Sequence, residues 1–335
     1  MSNKVYGVAV IGLGIAGRVR VRDLTNNTSY NNIQWCLKGF VSRRSLEIDG
    51  AQQLTENEVF DRKDIDAILI CTENGQHERL VRSGIENGKH VLCEFPLALS
   101  SNAAKEFFEQ AEKKGVILHE ENIGLLNDYK EQLNSSPIPW KHCDISLKGR
   151  YNGWVEDHEK SGPPFVCNIS LVETACHLCG DVKAVGGSYS TTESSFEAVA
   201  QLETTDKRTV TISLKRSKDS DGREKSIVFQ LQDGSELNLR PSKIPGAKLG
   251  LFMQDFHKFM EEVVSGKTDQ EMKSRTIRAL EIAEDIHQVI MPKLDETFYK
   301  CLSFCMERKR QTSGLVLHTL RRETSLVTIK ILTLL

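Results

Sequence analysis

The sequence has no apolar run long enough to span a bilayer, little excess charge of either sign and no doubled cysteine motif. Each absence excludes something. The C-terminal stretch Leu326–Leu335 is apolar, but it carries Lys330 and falls short of the roughly 20 residues a membrane span needs. Met1 to Gly7 contains no apolar leader, so a cytoplasmic location is expected. A net charge of −2 over 335 residues supplies no field to gather nucleic acid or an anionic membrane. A small molecule is the expected partner, handled by a monomer or a weak homo-oligomer. Nine cysteines, an odd number, are scattered irregularly and often lie in apolar runs. Cys176/Cys179 and Cys301/Cys305 come nearest to a metal pattern, but neither joins a second pair, so reduced buried thiols and no metal are expected.

What is present is a pattern that changes part-way along. From Val5 to His119, short β-branched runs alternate with longer amphipathic ones, the mark of repeated β-α units around a parallel sheet. Strands are expected at Val5–Ile11, Leu37–Val41, Ala67–Cys71, His90–Cys93 and Val116–His119. Helices are expected at 16–25, 76–87 and 101–114, with Ser100 or Ser101 as a cap and Gly88 and Gly115 as stops. Beyond a polar joint at Asn134–Pro139, strands follow one another: Phe196–Leu202, Thr209–Leu214, Ile227–Leu231 and Glu236–Leu239, with Asp233-Gly234 as a hairpin turn. Their alternation indicates an antiparallel sheet with one buried face. Two amphipathic helices near 251–265 and 274–290 close the pattern, with stripes suited to core packing. The fold class is therefore α/β with an added α+β part: domains at 1–126 and 127–292, and a tail, 293–335, without an assigned role.

Gly12-Leu13-Gly14-Ile15-Ala16-Gly17 follows the first strand directly and opens a helix, the context in which this motif binds a dinucleotide. Gly12 permits the tight turn, Gly14 lets the backbone approach the pyrophosphate, and Gly17 lets helix and strand pack closely. NAD enzymes place an acidic residue at the end of the second strand, about 20 residues on, for the ribose hydroxyls. Here that strand ends Val41-Ser42-Arg43-Arg44, a hydroxyl and two guanidiniums that suit a 2′-phosphate. NADPH is the expected cofactor, with NADH weaker.

With Cys71-Thr72-Glu73-Asn74-Gly75-Gln76-His77 and Gly88-Lys89-His90-Val91-Leu92-Cys93-Glu94-Phe95-Pro96 added, the sequence resembles the glucose-fructose oxidoreductase/inositol dehydrogenase family. That resemblance implies a Rossmann domain followed by a large open, mainly antiparallel sheet. It implies cofactor contacts from Gly12, Gly14, Ile15, Ala16, Gly17, Ser42, Arg43, Arg44, Cys71, Thr72, His77 and Glu94. The family's proton-carrying lysine is replaced by Phe95, which neither donates nor accepts a proton. An aromatic residue there resembles the biliverdin reductase branch. Further likeness lies in Gly17–Leu24, in Gly39–Arg44 with Ile48–Gly50, and in Ile117–Glu121. It covers the first 126 residues well and the rest loosely.

The branch implies hydride addition to the central meso carbon of a linear tetrapyrrole, with a proton passing to a pyrrole nitrogen. Phe95 would then be an apolar wall, and Glu94 and Glu121 the carboxyl groups nearest the nitrogens. The branch's arginine on the helix facing the nicotinamide is matched by Leu171 in Asn168–Glu173. Lys215 and Arg216 are therefore the candidates for the propionates, ahead of Arg223 and Arg150. His177, four residues after Glu173, is an alternative acid. His119 is expected to be structural or at the cofactor's edge. Two other readings stay open: a sugar, polyol or dihydrodiol dehydrogenase using His177, and an NADP-binding regulator without turnover.

Overall fold

A computed structural model describes residues 5–26, 29–30, 32–241 and 249–291; the expected tail lies outside them apart from its approach. The first sheet contains β1 (Val5–Ile11), followed by helix α1 (Ile15–Asn26), then β2 (Ser29–Tyr30), β3 (Ile33–Val41) and β4 (Gln53–Leu54). It continues through α2 (Glu56–Asp61), β5 (Ala67–Ile70), α3 (His77–Glu86), β6 (His90–Cys93), α4 (Ser101–Lys114) and β7 (Leu118–Glu120). Its order is β2-β3-β1-β5-β6-β7, with β4 also on β3; every pairing is parallel except β2 with β3. The β-branched runs read as strands because both faces are covered: Ile68, Leu69 and Ile70 are all fully buried. Ser100 caps α4 by accepting from the Ala103 amide, and Gly115 ends it in the left-handed conformation.

After α5 (Tyr129–Asn134) the second sheet opens with β8 (Trp140–Arg150). Three helical segments follow, α6 (His158–Ser161), α7 (Pro164–Cys167) and α8 (Ile169–Cys179). Then come β9 (Val182–Thr191), β10 (Ser195–Thr204), β11 (Thr209–Ser217), β12 (Glu224–Leu231) and β13 (Glu236–Leu239). The order is β13-β12-β8-β11-β10-β9, antiparallel except for the central β8·β11 pair. Gly234, at φ 91°, turns the β12–β13 hairpin as expected, and Asp233 accepts from the Ser235 amide at 2.9 Å.

Sequence position is a poor guide to where the last two helices go. Helix α9 (Leu251–Ser265) returns to the first sheet, where Met253, Phe256, Phe259 and Met260 pack with Val8, Val10 and Trp35. The Trp35 and Phe256 rings meet edge-on at 5.2 Å. Helix α10 (Gln270–Ile290), one turn longer at its start than its apolar stripe indicates, joins a core shared by both sheets. That core runs from Ile68, Val91 and Leu118 to Ile145, Leu214 and Phe229. Among the described residues no helix is long and apolar enough to cross a membrane, and no cluster of three or more potential metal ligands occurs.

Candidate functional site

The carboxyl edge of the first sheet collects the motif residues because β3, β1 and β5 are neighbours. Gly12 (φ 97°) donates to the Val41 carbonyl at 3.0 Å, and the Cys71 amide donates to Ile11 at 2.8 Å. A Cβ on Gly12 would lie 2.6 Å from the Cys71 carbonyl oxygen, and one on Gly17 would lie 1.9 Å from that of Gly12. Both glycines are thus required by the protein's own packing. Gly14 is different, since a Cβ there would meet nothing nearer than 4.0 Å and its φ is ordinary. The space above Gly14 fits the close approach of a pyrophosphate to the backbone at the start of α1. Ile15 stands 89% exposed beside it, Ala16 is half-buried, and the buried Thr72 hydroxyl has no hydrogen-bond partner among the described residues.

At the adenosine end, Gln53 donates to the Ser42 and Arg44 carbonyls at 2.9 and 3.0 Å, and Ser42 accepts from the Arg44 amide at 3.2 Å. This turn points Arg43 and Arg44 into solvent. Arg43 meets Glu73 at 3.2 Å, so a carboxylate does reach this corner, from the loop after β5 rather than from β3. The sequence pattern concealed it because the two residues are 30 apart.

His77 is buried and pins two loops, its ring nitrogens facing the Pro96 and Thr72 carbonyls at 2.8 and 3.2 Å. Burial lowers its pKa despite both carbonyls. The Cys71 thiol, pushed up by burial, lies 3.8 Å from Glu94. Phe95 is half-buried against the shared core.

Beneath these residues runs a buried ionic ladder. Arg20, on the same helix stripe as Gly17, Val21 and Leu24, binds Glu94 and Asp255 at 3.0 Å and the Phe252 carbonyl at 2.8 Å. His119 extends it, with Nδ1 2.7 Å from Glu262 and Nε2 3.3 Å from Asp255. Burial alone would lower the His119 pKa, but Asp255 and Glu262 outweigh it and raise it to about 9. Burial likewise opposes ionisation of Asp255, but His119 and Arg20 hold it at about 2. An arginine in the apolar stripe of α1 was the sequence signal for the ladder.

Glu94 and Glu121 differ from Asp255 in direction. Burial raises the Glu94 pKa against the pull of Arg20. Burial, then Glu94 and Asp255, push the Glu121 pKa well above the usual carboxylate range. Glu121 Oε1 accepts from the Ile123 amide at 2.8 Å, whereas Oε2 is buried with no hydrogen-bond partner among the described residues. A second acidic group stands alongside: Glu120 accepts from the Leu97 amide and the Thr276 hydroxyl, while the fully buried Glu173 lies 3.8 Å from Arg275. Burial and Glu120 raise the Glu173 pKa.

Opposite the loop after β5 stands the start of α8. Asn74 donates to the Ser161 carbonyl at 2.8 Å, and Asn168 accepts from Arg216 Nη2 at 2.6 Å. Arg216 shares the inner face of β11 with Ile212 and Leu214, over Gly149, whose missing Cβ leaves it room. Lys215 points to the other face, more than half exposed and 3.7 Å from Glu197. Arg150 closes the 220–221 loop through the Ser220 and Asp221 carbonyls, and Arg223 is exposed. Leu171, aligned above with a substrate-facing arginine, is instead fully buried in the shared core. His177 is half-buried, and burial with Lys130 and Arg275 lowers its pKa. Lys225 was not anticipated: on the inner face of β12 it donates to Thr174 at 3.2 Å beside the Tyr129 ring, and burial lowers its pKa to about 8.

A glycine turn at a switch point, lined by buried carboxyl groups and facing a second sheet, defines an NAD-binding oxidoreductase architecture. Comparison with known proteins agrees. The sequence model described as the oxidoreductase family with an NAD-binding Rossmann fold matches residues 6–122. Biliverdin reductase A from Mus musculus is 31% identical over 290 residues, covering 85% of this chain and 96% of that protein. The Homo sapiens protein of the same name is 30% identical over 291 residues, covering 84% and 95%. Biliverdin reductase from Synechocystis sp. PCC 6803, solved with biliverdin and NADP+, superimposes with a TM-score of 0.70 at 19% identity, over 85% of this chain and 98% of that one, and so shares the fold. The chain belongs to the glucose-fructose oxidoreductase/inositol dehydrogenase family of oxidoreductases.

Proposed function

We propose that the protein reduces biliverdin to bilirubin with NADPH, delivering hydride to the central meso carbon of the linear tetrapyrrole. The observation that carries this reading is Phe95, two residues beyond β6, together with Glu121 at the end of the neighbouring strand β7, a carboxyl group whose pKa burial pushes well above the usual range. Reducing a carbon of a conjugated chain develops no alkoxide, so a lysine at position 95 is dispensable, whereas a proton for a pyrrole nitrogen is not. Bound NADPH supplies the hydride. Gly14 would admit its pyrophosphate on the turn that Gly12 and Gly17 allow to form, with Ile15 and Ala16 beside it and the Thr72 hydroxyl available to it. Ser42, Arg43 and Arg44 take the 2′-phosphate. Glu94, tethered by Arg20, orders the nicotinamide end, and Phe95 forms a dry wall for the tetrapyrrole.

The two propionates need two cations. Arg216 and Lys225 lie on one sheet face, two strands and two residues apart, a spacing of about 12 Å from ordinary sheet dimensions. Among the described residues Lys225 has no carboxylate at hydrogen-bond distance, and a propionate would supply one. The strong match to biliverdin reductase A over most of both chains supports the same substrate class.

Mixing the protein with NADPH and biliverdin is expected to bleach the long-wavelength band as bilirubin's yellow band rises. No bleaching, with NADPH oxidation or NADP+ reduction on a sugar, polyol or dihydrodiol panel, would transfer the chemistry to His177 and overturn the reading. Cofactor binding with turnover on nothing would make the chain an NADP-binding regulator.

A further inference from the structure

The strand order β3-β1-β5 sets the ends of β3 and β5 on either side of the glycine turn that ends β1. Arg43 stands two residues beyond β3, and Glu73 three beyond β5. Their 3.2 Å ion pair therefore spans the crevice in which the adenosine half of a dinucleotide lies. The partners are unequal, since the Arg43 side chain is 87% exposed and that of Glu73 only 12%. Glu73 is held by its surroundings, and Arg43 is the arm that can swing.

A third charge belongs to the same corner. A Cβ on Gly75 would lie 2.7 Å from the Glu159 carbonyl oxygen and 3.2 Å from the Lys160 Cα, so α6 crosses directly over the loop that carries Glu73. Asn74 fastens that crossing through the Ser161 carbonyl. The Lys160 ammonium rests 2.6 Å from Asp157 and feels both Glu73 and Arg43.

We propose that Glu73 sets the cofactor preference by competing with the adenosine 2′-phosphate for Arg43, and that Lys160 offsets the Glu73 carboxylate once the phosphate has drawn Arg43 away. A dianionic phosphate beside Arg43 would otherwise face the carboxylate across a few ångströms, and the repulsion falls on NADPH alone. NADH brings a hydroxyl to the same place and has no need to break the pair. Glu73 thus narrows a preference that Ser42, Arg43 and Arg44 create. The inference rests on the reading of Arg43 as the 2′-phosphate ligand.

Dissociation constants of NADPH and NADH, measured by cofactor fluorescence on the full chain, test both. Glu73→Gln is expected to tighten NADPH about fivefold, the scale of one exposed ion pair, with no tightening of NADH. Lys160→Ala is expected to weaken NADPH about threefold in the native background and to have no effect alongside Glu73→Gln, because Lys160 acts only through that carboxylate. An unchanged or weaker NADPH constant in Glu73→Gln, equal tightening of both cofactors, or a Lys160→Ala effect that persists without Glu73 overturns the proposal. Arg43→Ala separates it from its foundation: a roughly tenfold loss for NADPH alone is expected. No loss there would refute Arg43 as the phosphate ligand, whatever Glu73 does.

Discussion

A carboxyl group withdrawn from water beside two other carboxylates gives up its proton less readily, and burial, Glu94 and Asp255 push the Glu121 pKa well up. The proposed role as acid for the pyrrole nitrogen requires a protonated Glu121, so turnover is expected to fall as pH rises through its elevated pKa. Glu121→Gln should lower kcat about 100-fold and remove that limb from the pH profile. A profile unchanged in shape would show that the limb belongs to another group. Lys225 gives a second, separable dependence. With a pKa of about 8 it is charged below that pH and neutral above it. The KM for biliverdin should therefore climb above pH 8, and Lys225→Met should be high and flat across the range. Truncation of Arg216 to Ala should raise KM about tenfold or more. The same change at Lys215, which faces the other side of the sheet, should alter KM less than twofold.

The ladder Arg20–Glu94–Asp255–His119–Glu262 joins α1, the end of β6, β7 and α9 through largely buried side chains. Arg20→Ala removes the guanidinium that pairs with Glu94 and leaves Asp255 with His119 alone, and should cost about 3–5 kcal/mol in denaturant unfolding. The pH dependence has two edges. His119, raised from 6.5 to about 9, contributes stability that is complete below pH 6.5 and is lost as pH rises through 9, on the order of 3 kcal/mol. Asp255, lowered from 3.8 to about 2, contributes stability present above pH 3.8 and lost as pH falls through 2. Melting temperatures across pH 6–10 should decline for the native chain and be flatter for His119→Gln.

Elements also divide what the sequence makes legible from what it hides. The β-α units and the glycine turn are local patterns, and strands such as Val5–Ile11 follow from them directly. Strand β8 was missed although it alternates, because Cys143 and Gly149 are weak core markers among Lys141, Asp144 and Lys148. Edge strand β9 buries little beyond Val182 and carries Gly186-Gly187, so it has no apolar stripe to read. Lys225 and Glu73 join the candidate site only through strand order, which no spacing in the sequence encodes. Leu171 shows the converse, since alignment placed it at the ligand and packing takes it into the core.

At the scale of the whole molecule, the two sheets share one apolar core, and α9 crosses from the end of the second sheet to cover the first. Burying Met253, Phe256, Phe259, Met260 and Val263 contributes roughly 1.5–3 kcal/mol each, and the five together are comparable to the net stability of a domain. The first sheet therefore depends on residues that follow the second in sequence, and the two should unfold together. Trp35 lies under α9 in the first sheet and Trp140 heads β8 in the second, so each reports one sheet. In variants that keep one of these tryptophans and replace the others by Phe, fluorescence transitions in urea are expected to coincide. Phe256→Ala should lower the stability seen by both probes by about 3–5 kcal/mol, although the change touches only the first sheet. Saturating NADPH should raise both transitions equally, by about 2.7 kcal/mol at a hundred times its dissociation constant. Separate transitions, or a Phe256→Ala effect confined to Trp35, would mean that the shared core does not couple the sheets.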